Sequence, residues 1–479
     1  MHPRAQRLRR LRRRSKRRGV ALILVLSSLT ILAVMLAEFQ DETAAEMGSA
    51  LSTRDSLKAE YAARSAVNLS RLLIASEPTI RKALAPLFLL MKQGPPQIPV
   101  WEFADQVLGA FNSEEGNESF KLLAGVDIAD GKNLGMEGAG FDVKVVDEDS
   151  KINLNVAARG DAFSQARLAE QLIGLMANPT YDKMFENRDA DGQFSDRQTI
   201  CAAVVDWVDP DQDAYVCDPH SGTAQQAGAE DSFYQLLKKP YSRKNAAFDS
   251  LAELHLIRGV SDDFWSTFVD PDPDSPDKRV VTVWGQGKIN VNTANGQTIL
   301  AIVCGGATPG TPLCTDPTMQ ATFLSAMTMA KGFTMGAPLF SSPKAFINAV
   351  KGKGMVGTML AALNVKPVTL LSETETMKAV ATQSKVFSVY ATGVVKAGKR
   401  ETRVRVHAVI DFRGAPPPGA PPGTPGVDEA LENQPTTGGT ATGGQSQTPS
   451  NLPDGATEAA IAAAFQPSPG GNIIYYRID

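Results

Sequence analysis

The sequence predicts an α+β protein hung on one long N-terminal helix. Three observations carry that reading. Val20–Phe39 is an apolar run whose single charge is Glu38. Leu57, Tyr61, Ala62, Ala66, Leu69 and Leu72 continue it as a one-sided stripe at steps of three or four. Near the other end, Val404, Val406, Ala408 and Ile410 alternate with polar residues, the period of a half-buried strand.

The elements follow in order. A helix is expected over about Val20–Ala75, where Gly48 is the one glycine after residue 39 and proline is missing. At 1.5 Å per residue it would run about 80 Å, of which Val20–Phe39 accounts for roughly 30 Å, the thickness of a bilayer core. Residues 77–120 read as mixed helix and loop. Phe141–Val146 alternates as a strand and ends in an expected turn, Asp147-Glu148-Asp149-Ser150. Residues 160–270 are helix-rich with polar loops. "KINLN" at Lys151 returns as "KINVN" at Lys288, each running into a helical segment. This weak internal repeat suggests two related helical units, at about 165–265 and 295–380. A hairpin is expected over Val386–Val395 and Thr402–Phe412, with "KAGKRE" as its turn. Residues 414–470 are rich in Pro, Gly, Thr and Ser and predict a largely disordered stretch, with Glu458–Phe465 forming at most two helical turns. The terminal "NIIYYRID" reads as a strand returning to the sheet edge.

Charge is unevenly placed. The net charge is −4, but residues 1–19 hold ten Arg or Lys and no acid, which leaves 38 basic against 52 acidic residues beyond them. A basic run directly before an apolar helix is the positive-inside signal, which orients the remainder outside the cytoplasm. Three fates are open to the apolar run: removal as a secretory signal, retention as a single-pass anchor, or trimming at the basic–glycine junction. A removed signal would have a shorter core and a small-residue exit, whereas the nearest candidate places the large Met35 at the −3 position.

Cys201, Cys217, Cys304 and Cys314 form two locally spaced pairs. Outside the cytoplasm they predict two short-loop disulfides, Cys201–Cys217 and Cys304–Cys314; buried thiols are the alternative. Catalytic patterns do not assemble. The histidines are His2, His220, His255 and His407, none in a ligand-spaced pattern, and neither a G-x-S-x-G elbow nor a phosphate loop occurs. An enzyme is not expected.

The chemical signal is carboxylate clustering. "DWVDPDQDAYVCDP" brings Asp206, Asp209, Asp211, Asp213 and Asp218 together, and Glu230 and Asp231 follow. Acids crowded on one loop repel unless a cation neutralises them, and a hard ion with many oxygen ligands, calcium, suits the set; a solvated acidic loop is the alternative. "NRDADGQFSDRQ" has the oxygen spacing of an EF-hand loop at Asn187, Asp189 and Asp191, but Gln198 stands where a bidentate glutamate is expected. "LHLIRGVSDDF" resembles half of a helix-hairpin-helix, yet its acidic surroundings oppose nucleic acid as a partner.

The basic leader ending in Gly19 before an apolar helix resembles a type IV pilin-like leader. "ARSAVNLSRLL", "DEDSKINLN", "VDWVDPDQDA", "GAEDSFY", "PYSRKNAAFDSLAELHLIRGV" and "GKINVNTA" resemble the K-type minor pseudopilin family of the type II secretion system, general secretion pathway protein K. The resemblance covers roughly residues 16–310 and, more weakly, the hairpin at 385–412. It implies a pilin-like fold, a long N-terminal helix on a small antiparallel sheet, with a large inserted helical domain of SAM-like or helix-hairpin-helix units. It implies cleavage between Gly19 and Val20 by prepilin peptidase, methylation of Val20, and single-pass residence in the inner membrane with the bulk periplasmic. It implies I- and J-type minor pseudopilins, the major pseudopilin and the inner-membrane assembly platform as partners, and calcium near the acidic loops. On that basis Asp206, Asp209, Asp211, Asp213, Glu230 and Asp231 are ligand candidates, with Asn187, Asp189 and Asp191 behind them. The expected organisation is leader 1–19, membrane part 20–39, pilin-like helix and first strands 40–157, inserted domain 158–284, second helical unit 285–383, hairpin 384–413, linker 414–470 and terminal segment 471–479. Most pseudopilins carry glutamate at mature position five; here that position is Leu24. The rival reading is an uncleaved, membrane-anchored, calcium-binding periplasmic scaffold or adhesin.

Overall fold

The computed structural model describes residues 3–90, 96–112, 118, 133–186, 188, 192, 194–217, 232–333, 338–416 and 468–479. The expectations for residues 417–467, Glu458–Phe465 included, lie outside the described residues.

Helix α1 runs Pro3–Leu90, roughly 130 Å at 1.5 Å per residue. It exceeds the sequence expectation at both ends and continues through Pro78 and Pro86. Tertiary contacts hold the turns around Pro78. Ile74, Ala75 and Glu77 are buried, Ile98 N donates to Glu77 Oε1 at 2.9 Å, and Arg81 pairs with Glu77 at 3.5 Å. The chain then forms β1 (Ala139–Asp147), β2 (Ile152–Asn153), α2 (Ala162–Met176), α3 (Arg197–Val208), β3 (Val281–Thr282), β4 (Ile289–Asn290), α4 (Gly296–Gly305) and β5 (Val380–Ala381). It closes with β6 (Val386–Ala397), β7 (Arg400–Asp411) and β8 (Asn472–Ile478).

The main sheet is antiparallel in the order β1-β6-β7-β8. The helical region between β1 and β6 is therefore inserted between two neighbouring strands. One sheet face packs on α1, joining Ala63, Ala66 and Val67 to Phe141, Val389, Val406, Ala408 and Ile410. The approach is close enough that a Cβ on Gly393 would lie 1.8 Å from the Ala59 carbonyl oxygen. Residues 398–399 turn the hairpin, with Gly398 at φ +63° as a tight turn requires. The last strand, β8, pairs with β7 at the sheet edge, and Arg71 of α1 holds its entry through the carbonyls of Gly470 and Gly471, both at 2.9 Å.

The two K-I-N-x-N stretches have the same local structure. Ile152–Asn153 pairs in parallel with Val281–Thr282, and Ile289–Asn290 with Val380–Ala381. Asn155 exchanges side-chain hydrogen bonds with the backbone of Phe248 at 2.7 and 3.0 Å; Asn292 does so with Phe340 at 2.9 and 3.0 Å. The following helices, α2 and α4, are capped by Asp161 and Asn295 and cross closely. Each lends a glycine: a Cβ on Gly174 would meet the Ala301 carbonyl at 2.0 Å, and one on Gly305 the Glu170 carbonyl at 2.2 Å. The core of this region is a second hydrophobic cluster, separate from that under α1.

The turn expected at residues 147–150 is present, a 3-10 turn over Glu148–Ser150 capped by Asp147, and it is buried at the junction of sheet and helical region. Asp149 accepts from Gln286 N, Lys385 N and Val386 N at 2.7, 2.7 and 3.1 Å. Asp147 accepts from Ser384 and Thr293, and Glu148 from Lys151 and Thr282. Acids can sit here because backbone and hydroxyl donors surround them.

Candidate functional site

Two features carry functional chemistry. The first is the rod. From Val20 to Phe39 every side chain of α1 is exposed, and the apolar residues among them have no partner to cover them. This is the one described helix long and apolar enough to cross a membrane. Exposed Met47, Leu57, Tyr61 and Leu72 carry apolar surface further along the rod, while Ala59, Ala62, Ala63 and Ala66 face the sheet. Small residues on the sheet side allow the close approach at Gly393, and the larger apolar ones are left outside. Gly19 and Val20 lie within α1, and Leu24 places no carboxylate in the apolar run.

The second is the acidic loop after α3. Asp196 caps that helix through Thr199 N at 2.8 Å, and Asp209 follows its last residue. Asp209 is fully buried and Asp206 nearly so. Asp206 Oδ1 accepts from Tyr215 N at 2.8 Å. Gln165 of α2 donates to Asp209 Oδ2 at 3.0 Å and to Asp211 Oδ2 at 3.3 Å. The Asp211 carbonyl is held by Asn245 at 3.0 Å and Arg243 at 3.4 Å. Asp209 Oδ1 is buried without a hydrogen-bond partner. Burial first, and neighbouring carboxylates after it, push Asp206 and Asp209 up to about 7. Asp213 stands at the exposed end of the loop, its backbone N donating to Asp211 Oδ1 at 3.0 Å.

These are hard oxygen donors, and one is orphaned in a dry place, which is the chemistry a calcium ion satisfies. Among the described residues, however, no three Asp, Glu, His or Cys side chains converge as a metal-holding group. Glu230 and Asp231 lie outside the described residues, as do Asn187, Asp189 and Asp191. Sequence reading missed Gln165, Arg243 and Asn245 as supports. For Arg243 and Asn245 the local signal was the basic "SRKN" run at residues 242–245, downstream of the acids.

Two disulfides brace the helical region. Cys201–Cys217 closes the acidic loop onto α3, and Cys304–Cys314 ties the end of α4 to the next short helix. Gly259, in the helix-hairpin-helix-like stretch, has φ +82° and lies against Ile200 and Ser195, so its open backbone serves packing rather than a phosphate.

Residues 150–268 match the family model of type II secretion system (T2SS) protein K. That family is structural, not enzymatic. The span begins inside the buried 147–150 turn and contains the first K-I-N-x-N stretch, α2, α3 and the acidic loop. Among solved structures, the GspK-GspI-GspJ complex from the enterotoxigenic Escherichia coli type 2 secretion system is similar at 16% identity and a TM-score of 0.34, covering 58% of this chain and 76% of that one. No curated protein matches the chain.

Proposed function

We propose that this chain, whose residues 150–268 form a type II secretion protein K domain, is a minor pseudopilin at the tip of the secretion pseudopilus. The observation that carries the reading is the joining of that domain, through one sheet, to a rod whose apolar first half is wholly exposed. In this reading prepilin peptidase cuts between Gly19 and Val20 and Val20 is methylated. The chain waits in the inner membrane through Val20–Phe39, with the sheet and helical region in the periplasm. It then leaves lipid by packing its rod against those of I- and J-type minor pseudopilins, and the complex primes addition of the major pseudopilin on the assembly platform, so that folded proteins are driven across the outer membrane.

Position matters electrostatically. An unpaired charge in an apolar bundle is costly, so a fibre subunit with an acid near its N-terminus needs an amine from the subunit above. Leu24 makes no such demand, which suits a subunit with nothing above it. We read the helical region as paired SAM-like or helix-hairpin-helix units, in keeping with the duplicated asparagine clamps. We also propose calcium at the acidic loop, held by Asp209 with Asp206 and Asp211 and completed by Asp213, Glu230 or Asp231. Its charge would offset carboxylate repulsion and pin the loop.

The test is co-purification. Full-length chain expressed with its prepilin peptidase and I- and J-type subunits should elute with both in detergent. Recovery alone, under conditions where the I- and J-type subunits pair with each other, contradicts the proposal and favours the anchored scaffold.

A further inference from the structure

The two disulfides stand in different surroundings. Cys201 and Cys217 belong to the core of the helical region and are 0% and 1% exposed. Cys304 and Cys314 are both partly exposed, and Cys314 packs on the outside of that core. Open chain flanks this second pair. Pro309 and Gly310, at the crest of the connecting loop, are exposed, as are Thr315, Asp316, Pro317 and Thr318 after it. A Cβ added to Gly310 would meet nothing within 4 Å. A reagent in solution can therefore reach the second pair directly, whereas the first is reached only when the core opens.

The loop between Cys304 and Cys314 has other supports than the bond that closes it. Ala307 bridges to Leu370. Thr308 N donates to the Thr369 carbonyl at 2.9 Å, and Leu371 N to the Gly306 carbonyl at 2.8 Å. Thr311 Oγ1 donates to the Thr308 carbonyl at 2.7 Å and closes the turn. Leu313 is buried, and Gln320, from the helix Pro317–Phe333, holds the Cys314 carbonyl at 3.1 Å. Cys304 itself lies within α4. These contacts keep both cysteines in place once their bond is open. Accessible disulfides that open without unfolding the chain are the exchangeable ones.

We propose that Cys304–Cys314 is a thiol–disulfide exchange site, opened in the folded chain by a dithiol reductant, while Cys201–Cys217 stays closed as a structural brace. One thiolate of the dithiol attacks a sulfur of the pair and expels the other as a thiolate, which takes up a proton. The reductant's second thiol loses its proton and attacks the reductant's own sulfur in the mixed disulfide, releasing the remaining cysteine. Two electrons and two protons pass to the cysteines, and the dithiol leaves oxidised as a disulfide. A monothiol is ineffective, because the expelled cysteine, held beside the mixed disulfide, displaces it again. The inference does not rest on the tip assignment, because it uses only the burial of the two pairs and the supports of one loop.

Differential thiol labelling tests it. Full-length chain in detergent micelles, without denaturant, is treated with dithiothreitol, quenched with N-ethylmaleimide and mapped by peptide mass. Cys304 and Cys314 should be labelled together, at a rate that rises with dithiothreitol and is at least about tenfold that of Cys201 and Cys217. Protein reduced at that pair alone should still melt cooperatively, and oxidised glutathione should restore the bond. Cys304→Ser with Cys314→Ser should leave the slow labelling of Cys201 and Cys217 unchanged. The proposal is overturned if all four cysteines are labelled at one rate, if Cys304 and Cys314 react only once urea unfolds the chain, or if opening that pair alone abolishes the cooperative melt.

Discussion

Asp149 shows how much a single side chain holds at the junction of sheet and helical region. Its carboxylate collects three backbone donors from segments 286 and 385–386. Asp149→Ala should cost about 3 kcal/mol or more in denaturant melts, because three buried N–H groups lose their acceptor together. The acidic loop offers a different readout. Folded-state values of Asp206 and Asp209 stand above the ordinary carboxylate range, so the folded chain holds protons that the unfolded chain releases. Their contribution is full below about pH 4 and is lost as pH rises towards 7. Burial moves Asp147, to about 6, and Asp149 in the same direction. Metal-free protein should therefore melt lower at pH 8 than at pH 5, by about 1 °C per kcal/mol for a chain of this length, and Asp206→Asn with Asp209→Asn should reduce the difference. Calcium should raise the melt at pH 8 and EDTA should lower it. Asp209→Ala with Asp211→Ala should abolish that response, and a wild-type melt indifferent to both would remove calcium from the account. The acids were visible in the sequence because they cluster. Their burial was not, since it depends on Gln165 in α2 and on Arg243 and Asn245 beyond the loop.

At the scale of elements, local period carried far and tertiary contact decided the rest. The β7 alternation put Val404, Val406, Ala408 and Ile410 on one face, and all four are buried there. The K-I-N-x-N repeat was legible as text, but its asparagine clamps join residues 93 and 48 positions apart and have no local signature. The extension of α1 past Pro78 was illegible for the same reason, because the buried Glu77 and Ile98 contact keeps it folded. The turn at residues 147–150 was legible, but its burial was not, because its donors come from segments 282–293 and 384–386. Two substitutions probe these contacts. Gly393→Ala forces β6 away from α1 and should destabilise by about 2–3 kcal/mol, measured in urea. Cys201→Ser with Cys217→Ser opens a 16-residue separation and should cost about 3 kcal/mol, whereas the same change at Cys304 and Cys314 should leave the calcium response intact.

For the whole molecule, the arrangement has a mechanical sense. The rod leaves its apolar first part bare, the sheet grips its second part, and the region that matches the protein K family model is inserted between adjacent strands of that sheet. A helix so exposed is stable in lipid or in a bundle of like helices, and we propose that it passes from the first to the second. The most direct test is the intact mass of full-length chain extracted from membranes that contain active prepilin peptidase. The account predicts a chain beginning at N-methylated Val20, free of the basic leader. A mass that still includes Met1 would contradict it.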